Sequence, residues 1–166
     1  MEKGVACDRL IFFIYTPPVQ FIKNSDGVAN MPAEKLGSMR AITTQKVLPA
    51  NGANPRFEVI VPSGSGTLAG VEIFQVMATY QSEVLPDGTI YGECPNSGVV
   101  IAADGMATFR ASGIGSFTEE GGASFKGIAY FQTSAPSLSS LNGAAVVYNW
   151  DVDAEGNATW ELWEWK

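Results

Sequence analysis

The sequence contains no histidine. That single absence removes the imidazole proton shuttle, every histidine-dependent catalytic triad and the commonest zinc ligand. Charge is also scarce: charged residues make up 16% of the chain, with 10 Lys plus Arg against 17 Asp plus Glu and a net charge of -7. An acidic chain repels a phosphate backbone instead of releasing its counterions, so nucleic acid is not an expected partner. Long apolar runs are missing too. Near the start only Leu10 to Tyr15 is continuous, shorter than a signal-peptide core of about 7–15 residues and far short of the ~20 needed to span a bilayer. The expectation is a cytoplasmic protein with no membrane partner. The two cysteines, Cys7 and Cys94, have neither Cys-x-x-Cys spacing nor a histidine to complete a site. They read as ordinary thiols, and no metal or cofactor is expected. A disulfide between them would require an oxidising compartment. No sustained 3.6-residue apolar period, heptad repeat or low-complexity tract occurs.

What is present suits a β-rich globule. Hydrophobic residues are 46% of 166, enough for a core at a length typical of one domain, so residues 1–166 are expected to form a single domain. From Gln75 onward, turn signals recur at Pro86-Asp87-Gly88, Asp104-Gly105, Glu119-Glu120-Gly121-Gly122 and Ala154-Glu155-Gly156-Asn157. Each supplies a residue tolerant of positive φ where a hairpin reverses. Between them Val76 to Val84, Thr89 to Ile101, Met106 to Ala111, Ser124 to Thr133, Ala144 to Val152 and Thr159 to Trp165 read as six strands of an antiparallel meander. Upstream, Leu10 to Thr16, Met39 to Val47 and Phe57 to Val61 look like further strands, for a total of eight or nine. The remainder of Asp26 to Ala53 reads as irregular, either a long loop over a barrel mouth or a surface loop. Pro136 to Gly143 carries the one helical signal, with Pro at its start and Asn-Gly at its end: one or two turns closing a barrel end.

So many hairpin-linked strands must close into a barrel or split into a sandwich, since an open sheet leaves adhesive edges. Gly92, Gly98, Gly113, Gly115 and Gly127 lie in or beside strand segments, where glycine permits the bulges and coiling of a small barrel. The expected fold is therefore all-β, an eight- or nine-stranded antiparallel β-barrel with one short helical turn.

The run Asp87-Gly88-Thr89-Ile90-Tyr91-Gly92-Glu93, followed by Ala103-Asp104-Gly105-Met106-Ala107-Thr108-Phe109, Gly113-Ile114-Gly115-Ser116-Phe117 and Phe125-Lys126-Gly127, resembles the repeating pattern of the allene oxide cyclase and dirigent barrels. The resemblance covers Asp87 to Phe131, about a quarter of the chain. Ala111-Ser112-Gly113-Ile114-Gly115 stands where those families have a more Gly-rich bend. The matching motifs are turns and bends, so no catalytic residue carries over. The resemblance implies a calycin-like or allene oxide cyclase-like barrel whose interior holds an apolar small molecule. It also implies, by analogy, a cyclisation steered by shape. The closing half, with Tyr130-Phe131-Gln132-Thr133 and Trp163-Glu164-Trp165-Lys166, also resembles small uncharacterised bacterial proteins.

All four tryptophans, at 150, 160, 163 and 165, fall in the last 17 residues. Strand alternation places Val146, Tyr148, Trp150 and Val152 on one face and Trp160 with Leu162 on one face of the next strand. These rings either wall a ligand cavity or fill the barrel solid. Trp163 and Trp165 have the opposite parity to Trp160 and suit a subunit contact, so a homo-oligomer is one expectation. Without histidine, proton chemistry rests on carboxylates, Tyr, Lys, Arg and Cys. Glu72 and Glu83 flank the strand that holds Tyr80. Arg110 lies among small and apolar residues, suited to clamp a carboxylate or enolate, and Glu161 lies between Trp160 and Leu162. A carboxylate inside an apolar barrel would have a raised pKa and could move a proton near neutrality. Buried phenols orient a carbonyl with one hydrogen bond. The candidates are therefore Tyr80, Arg110 and Glu161 as catalytic residues, and Tyr130, Tyr148, Trp150 and Trp160 as substrate-binding ones. Ser63 to Gly70 is Gly-rich but lacks the Gly-Lys-Ser/Thr ending of a phosphate loop and reads as a flexible turn. Asp151, Asp153 and Glu155 lack the closing Glu of a calcium loop and read as a hairpin tip.

Three functions fit. One is a cofactor-independent cyclase or isomerase acting on a hydrophobic small molecule, of the kind secondary metabolism uses. The second is a non-catalytic carrier or sensor of an apolar ligand, and the third a solid-filled structural barrel. An inward, partnered carboxylate or arginine favours the enzyme, a purely apolar lining the carrier, and a filled interior the structural protein.

Overall fold

A computed structural model of the chain describes residues 33–166. The predicted strand Leu10 to Thr16, Cys7 and the irregular residues 26–32 lie outside the described residues. The strands are β1 (Ala33–Asn51), β2 (Asn54–Leu68), β3 (Val71–Ile73), β4 (Gln75–Val84), β5 (Ile90–Ala102), β6 (Gly105–Phe117), β7 (Ala123–Thr133), β8 (Val146–Val152) and β9 (Asn157–Trp165), with a 3-10 helix at Pro136–Leu141. Hydrogen-bonded order runs β1-β9-β8-β7-β6-β5-β4-β2, and β1 pairs with β2 to close the ring. The result is an eight-stranded antiparallel barrel with β3 as an extra strand, as the turn spacing predicts. β3 extends the line of β4 along β2, and the residue between them, Phe74, faces outward.

Two sequence expectations are corrected here. The irregular segment proposed for the stretch before Ala53 is, from Ala33 onward, the 19-residue strand β1. It has few β-branched residues, but its backbone is paired on both sides, to β2 and to β9. Tertiary pairing outweighs weak local propensity. The predicted flexible turn at Ser63 to Gly70 is mostly β2, and the chain reverses only at Ala69 and Gly70, with φ of 52° and 75°. Its glycines serve a close approach: a Cβ on Gly64 would lie 2.6 Å from the Arg40 carbonyl oxygen, and one on Gly66 2.3 Å from that of Ser38. Side chains there would push β1 away and open the barrel.

One end of the barrel is sealed. Leu138 and Leu141 of the 3-10 helix are buried against Met39, Leu68, Ile73, Val100, Ala107, Val146 and Leu162, all with almost no exposure. Burying each of the Leu, Ile, Val and Met side chains here contributes roughly 1.5–3 kcal/mol relative to leaving it in water. Polar staples hold this plug in place. The Ser137 backbone N–H and hydroxyl donate to the Asp104 carboxylate in the β5–β6 turn, at 2.8 and 2.6 Å. The Asn142 side chain accepts from the Thr133 N–H and donates to its carbonyl, both at 3.0 Å. No helix among the described residues is long and apolar enough to cross a membrane.

Candidate functional site

The opposite half of the barrel is built from aromatic rings laid against glycines. Gly92, Gly113 and Gly127 stand in register across β5, β6 and β7, and Tyr148 of β8 is next in the row. A Cβ on Gly113 or Gly127 would sit 2.6 Å from the Tyr148 hydroxyl oxygen, so the ring lies over the space those glycines leave. Phe125 likewise lies over Gly115, its register partner, and Phe109 over Gly98, where a Cβ would be 2.1 Å from the ring. Glycine thus lets the wall curve while a neighbouring aromatic refills the volume. Next to Gly98 the β5 ladder is interrupted at Pro95, Asn96 and Ser97. Asn96 takes the left-handed conformation there, with φ of 60°.

These rings surround a void of about 60 Å³, lined by Tyr80, Phe109, Phe125, Tyr148, Trp150 and Trp160 together with Val61, Val76, Ala78, Gly92, Cys94 and Ala111. Glu93 also borders it, but this residue is exposed and lies between inward Gly92 and Cys94, so strand alternation turns its carboxylate outward. Adjacent rings meet near right angles: Tyr80 and Trp150 at 90° and 6.3 Å, Trp150 and Trp160 at 88° and 6.2 Å, Tyr148 and Trp160 at 80° and 6.0 Å. Edge-to-face contacts of this kind set the positive edge of one ring towards the negative face of its neighbour. Above the void a wider hollow of about 290 Å³ opens at the barrel mouth. It is rimmed by the β6–β7 and β8–β9 turns and by Thr43 and Gln45 of β1. Tyr80 and Phe125 line both spaces and form the partition between them.

The polar groups of the site are few. Trp150 Nε1–H donates to Tyr80 Oη at 3.1 Å. Burial pushes the Tyr80 phenol up to about 12, a rise that the Trp150 hydrogen bond partly offsets. Tyr148 is pushed up further, again chiefly by burial and then by the proximity of Tyr80. Both are therefore neutral donors at physiological pH. The Cys94 thiol also rises, mainly through burial, and stays protonated. At the mouth Asp153 accepts from the backbone N–H groups of Glu155 and Asn157 at 3.0 and 2.8 Å and from Asn157 Nδ2 at 2.9 Å. Hydrogen bonding, led by the Asn157 side chain, holds its carboxyl below the usual value and keeps it charged. Neither Lys nor Arg lines either space.

Of the residues singled out from sequence, Tyr80, Tyr148, Trp150 and Trp160 come together on this wall. Arg110, Tyr130 and Glu161 do not, and their expected place in the cavity is corrected. Arg110 follows inward Phe109, and Tyr130 lies between inward Ala129 and Phe131. Glu161 lies between inward Trp160 and Leu162, so strand alternation turns all three outward. Arg110 and Tyr130 are register partners on the outer surface. Glu161 is ion-paired with Lys35 at 2.7 Å, and Glu83 accepts from Asn54 Nδ2 at 2.7 Å. Trp163 is on the outside, with Lys35 Nζ 5.8 Å from its ring centre, and Trp165 is exposed. Sequence reasoning missed Phe109 and Phe125. Their signal is inward parity: Phe109 lies two residues from buried Ala107 on β6, and Phe125 four residues from buried Ala129 on β7.

No family model and no curated protein matches the chain. Solved structures show the fold. A conserved protein of unknown function from Rhodopseudomonas palustris superposes with a TM-score of 0.69 at 14% identity, covering 82% of this chain and 99% of that one. A β-barrel-like protein from Acinetobacter baumannii gives 0.68 at 14% identity, covering 86% and 100%. An enzyme from Penicillium herquei gives 0.53 at 15% identity, covering 84% and 99%. The likeness supports the barrel and the expected similarity to small uncharacterised proteins. It offers nothing specific to allene oxide cyclases or dirigent proteins.

Proposed function

We propose that this protein binds a small, largely apolar molecule through the open end of its barrel, without a cofactor. The observation that carries this reading is the asymmetry of the interior. One end is packed solid with aliphatic side chains, whereas the other keeps a void walled by rings, with two protonated phenols and no inward carboxylate or arginine. A void of about 60 Å³ takes on the order of five water-sized atoms. A larger ligand must therefore pass Phe125 and Tyr80 and extend into the mouth. The test is native mass spectrometry of freshly purified protein, followed by organic extraction. Tryptophan fluorescence then follows rebinding, because Trp150 and Trp160 line the void. A retained apolar molecule that rebinds and alters this emission supports the reading. A protein that carries nothing and responds to no apolar compound returns the weight to a filled structural barrel.

A second reading is a cofactor-independent cyclase or isomerase acting on a hydrophobic substrate in the same space. It is favoured by the Trp150–Tyr80 hydrogen bond, which leaves a phenol proton free for a substrate oxygen. The similar fold of the fungal enzyme is compatible with it. Catalysis here would rest on substrate shape and phenol donation, because no base faces the void. Turnover that is lost in Tyr80→Phe while binding persists would distinguish this reading from a carrier.

A further inference from the structure

We infer that the ligand is a neutral conjugated carbonyl compound, its oxygen held by the Tyr80 hydroxyl at the junction of void and mouth and its flat body lying among the rings. This rests on the cavity-binding reading above and adds the chemical class.

The direction of one hydrogen bond decides it. An indole N–H can only donate, so at 3.1 Å Trp150 occupies a lone pair of Tyr80 Oη and cannot receive that phenol's proton. No other group among the described residues accepts it, and the Tyr148 hydroxyl likewise has no hydrogen-bond partner among them. A phenol that already accepts one hydrogen bond is polarised into a better donor. The wall thus presents donors, and its complement is an acceptor.

Charge narrows the class. No cation lines the void or the mouth, and Asp153 and Glu155 stand at the rim, so a carboxylate ligand would lose its hydration with nothing to replace it. An ammonium group would find no inward carboxylate, since Glu93 turns outward, and of the two phenol oxygens Tyr80 already accepts from Trp150, so the ring faces and the Tyr148 hydroxyl alone would replace its hydration. An uncharged carbonyl satisfies the donors without a buried charge. The void's rings, set at right angles, suit a planar body, and Tyr80, shared by both spaces, places the oxygen where they meet.

The test is isothermal titration calorimetry with acetophenone, α-methylstyrene and benzoate. The first two have the same shape, with C=O replaced by C=CH2. Acetophenone is expected to bind about tenfold or more tightly than α-methylstyrene, in line with one hydrogen bond to an otherwise unsatisfied donor, and benzoate not to bind. In Tyr80→Phe the preference for acetophenone should shrink to within about twofold, with α-methylstyrene unchanged. Equal binding of the two to the unaltered protein, or tighter binding of benzoate, overturns the inference and leaves the cavity reading standing. Failure of both neutral compounds to bind at millimolar concentration overturns the cavity reading itself, and this inference with it. Should Tyr80→Phe not fold, the carbonyl stretch of bound, isotope-labelled acetophenone decides in the unaltered protein. A shift below its frequency in hydrocarbon is expected, and no shift overturns the inference.

Discussion

The two ends of the barrel solve the same packing problem with different residues. At the plugged end leucines, valines and a methionine interlock around the 3-10 helix and leave almost no exposure. At the open end the volume is divided between glycines that have no side chain and rings too rigid to collapse into every gap. Flexible aliphatic side chains fill irregular space to crystal-like density, whereas planar rings meeting at right angles leave corners. Close packing and open space are thus separated along one axis of one sheet.

That contrast can be broken most severely at the plug. Leu138→Ala or Leu141→Ala is expected to cost about 2–5 kcal/mol in urea unfolding, the range for fully buried leucines. Phe117→Ala, at an exposed mouth position, should cost under about 1 kcal/mol. Equal losses would erase the distinction between the ends. The next effect is at the glycine row. A Cβ on Gly127 would lie 2.1 Å from the Ser112 carbonyl oxygen, so Gly127→Ala should destabilise by about 1–3 kcal/mol through overpacking. It should also displace Tyr148, visible in near-ultraviolet circular dichroism. Gly88→Ala, in open space at φ of 85°, should cost about 1 kcal/mol and leave that spectrum unchanged.

Alkaline pH should loosen the open end before the plug. The folded-state pKa of Tyr80 is raised from 10 to about 12 and that of Tyr148 is raised as well. Their contribution is complete below pH 10, the unfolded value, and is lost as pH rises from 10 through about 12. A urea midpoint that falls over this window, and falls less in a Tyr80→Phe/Tyr148→Phe double variant, is the expected outcome. The smallest effect concerns the staple on the plug. Ser137, by its hydroxyl and then its backbone N–H, lowers the Asp104 pKa below 3.8. That contribution is present above 3.8 and lost as pH falls through the lower folded value. Asp104→Asn should remove this acid dependence, measured as thermal midpoints across that range, and lower the midpoint at neutral pH by the same small amount that acid removes from the unaltered protein.

Much of this architecture is legible in the sequence because it depends on local rules. Gly88, Gly121 and Gly156 mark hairpins because each takes positive φ, and Pro136 with Asn142-Gly143 brackets the 3-10 helix. Alternation alone places Tyr148, Trp150 and Trp160 on the inner wall. The same alternation turns Glu161 outward, since it lies between two inward residues; chemistry of side chain is a poorer guide than parity. Arg110 and Tyr130 follow the same rule. β1 is not legible, because its stability comes from partners distant in sequence. Nor are the pairings of aromatic with glycine, since Phe125 over Gly115 and Phe109 over Gly98 exist only once strand register is fixed.

The pairing of β1 with β9, which joins Ala33 to Trp165 and Ile42 to Asn157, has a consequence for the life of the nascent chain. Of the described strands β1 is synthesised first and β9 last, yet the ring cannot close without both. Throughout translation of the intervening strands, β1 and whichever strand has just emerged present open hydrogen-bonding edges, the state in which β-rich chains associate with one another. Closure then depends on a contact between distant parts of the chain, which makes it intrinsically slow. The exposed Lys35, Arg40 and Lys46 outnumber Glu34 along β1, so the edge that waits longest carries a net positive charge and two such chains meeting there repel.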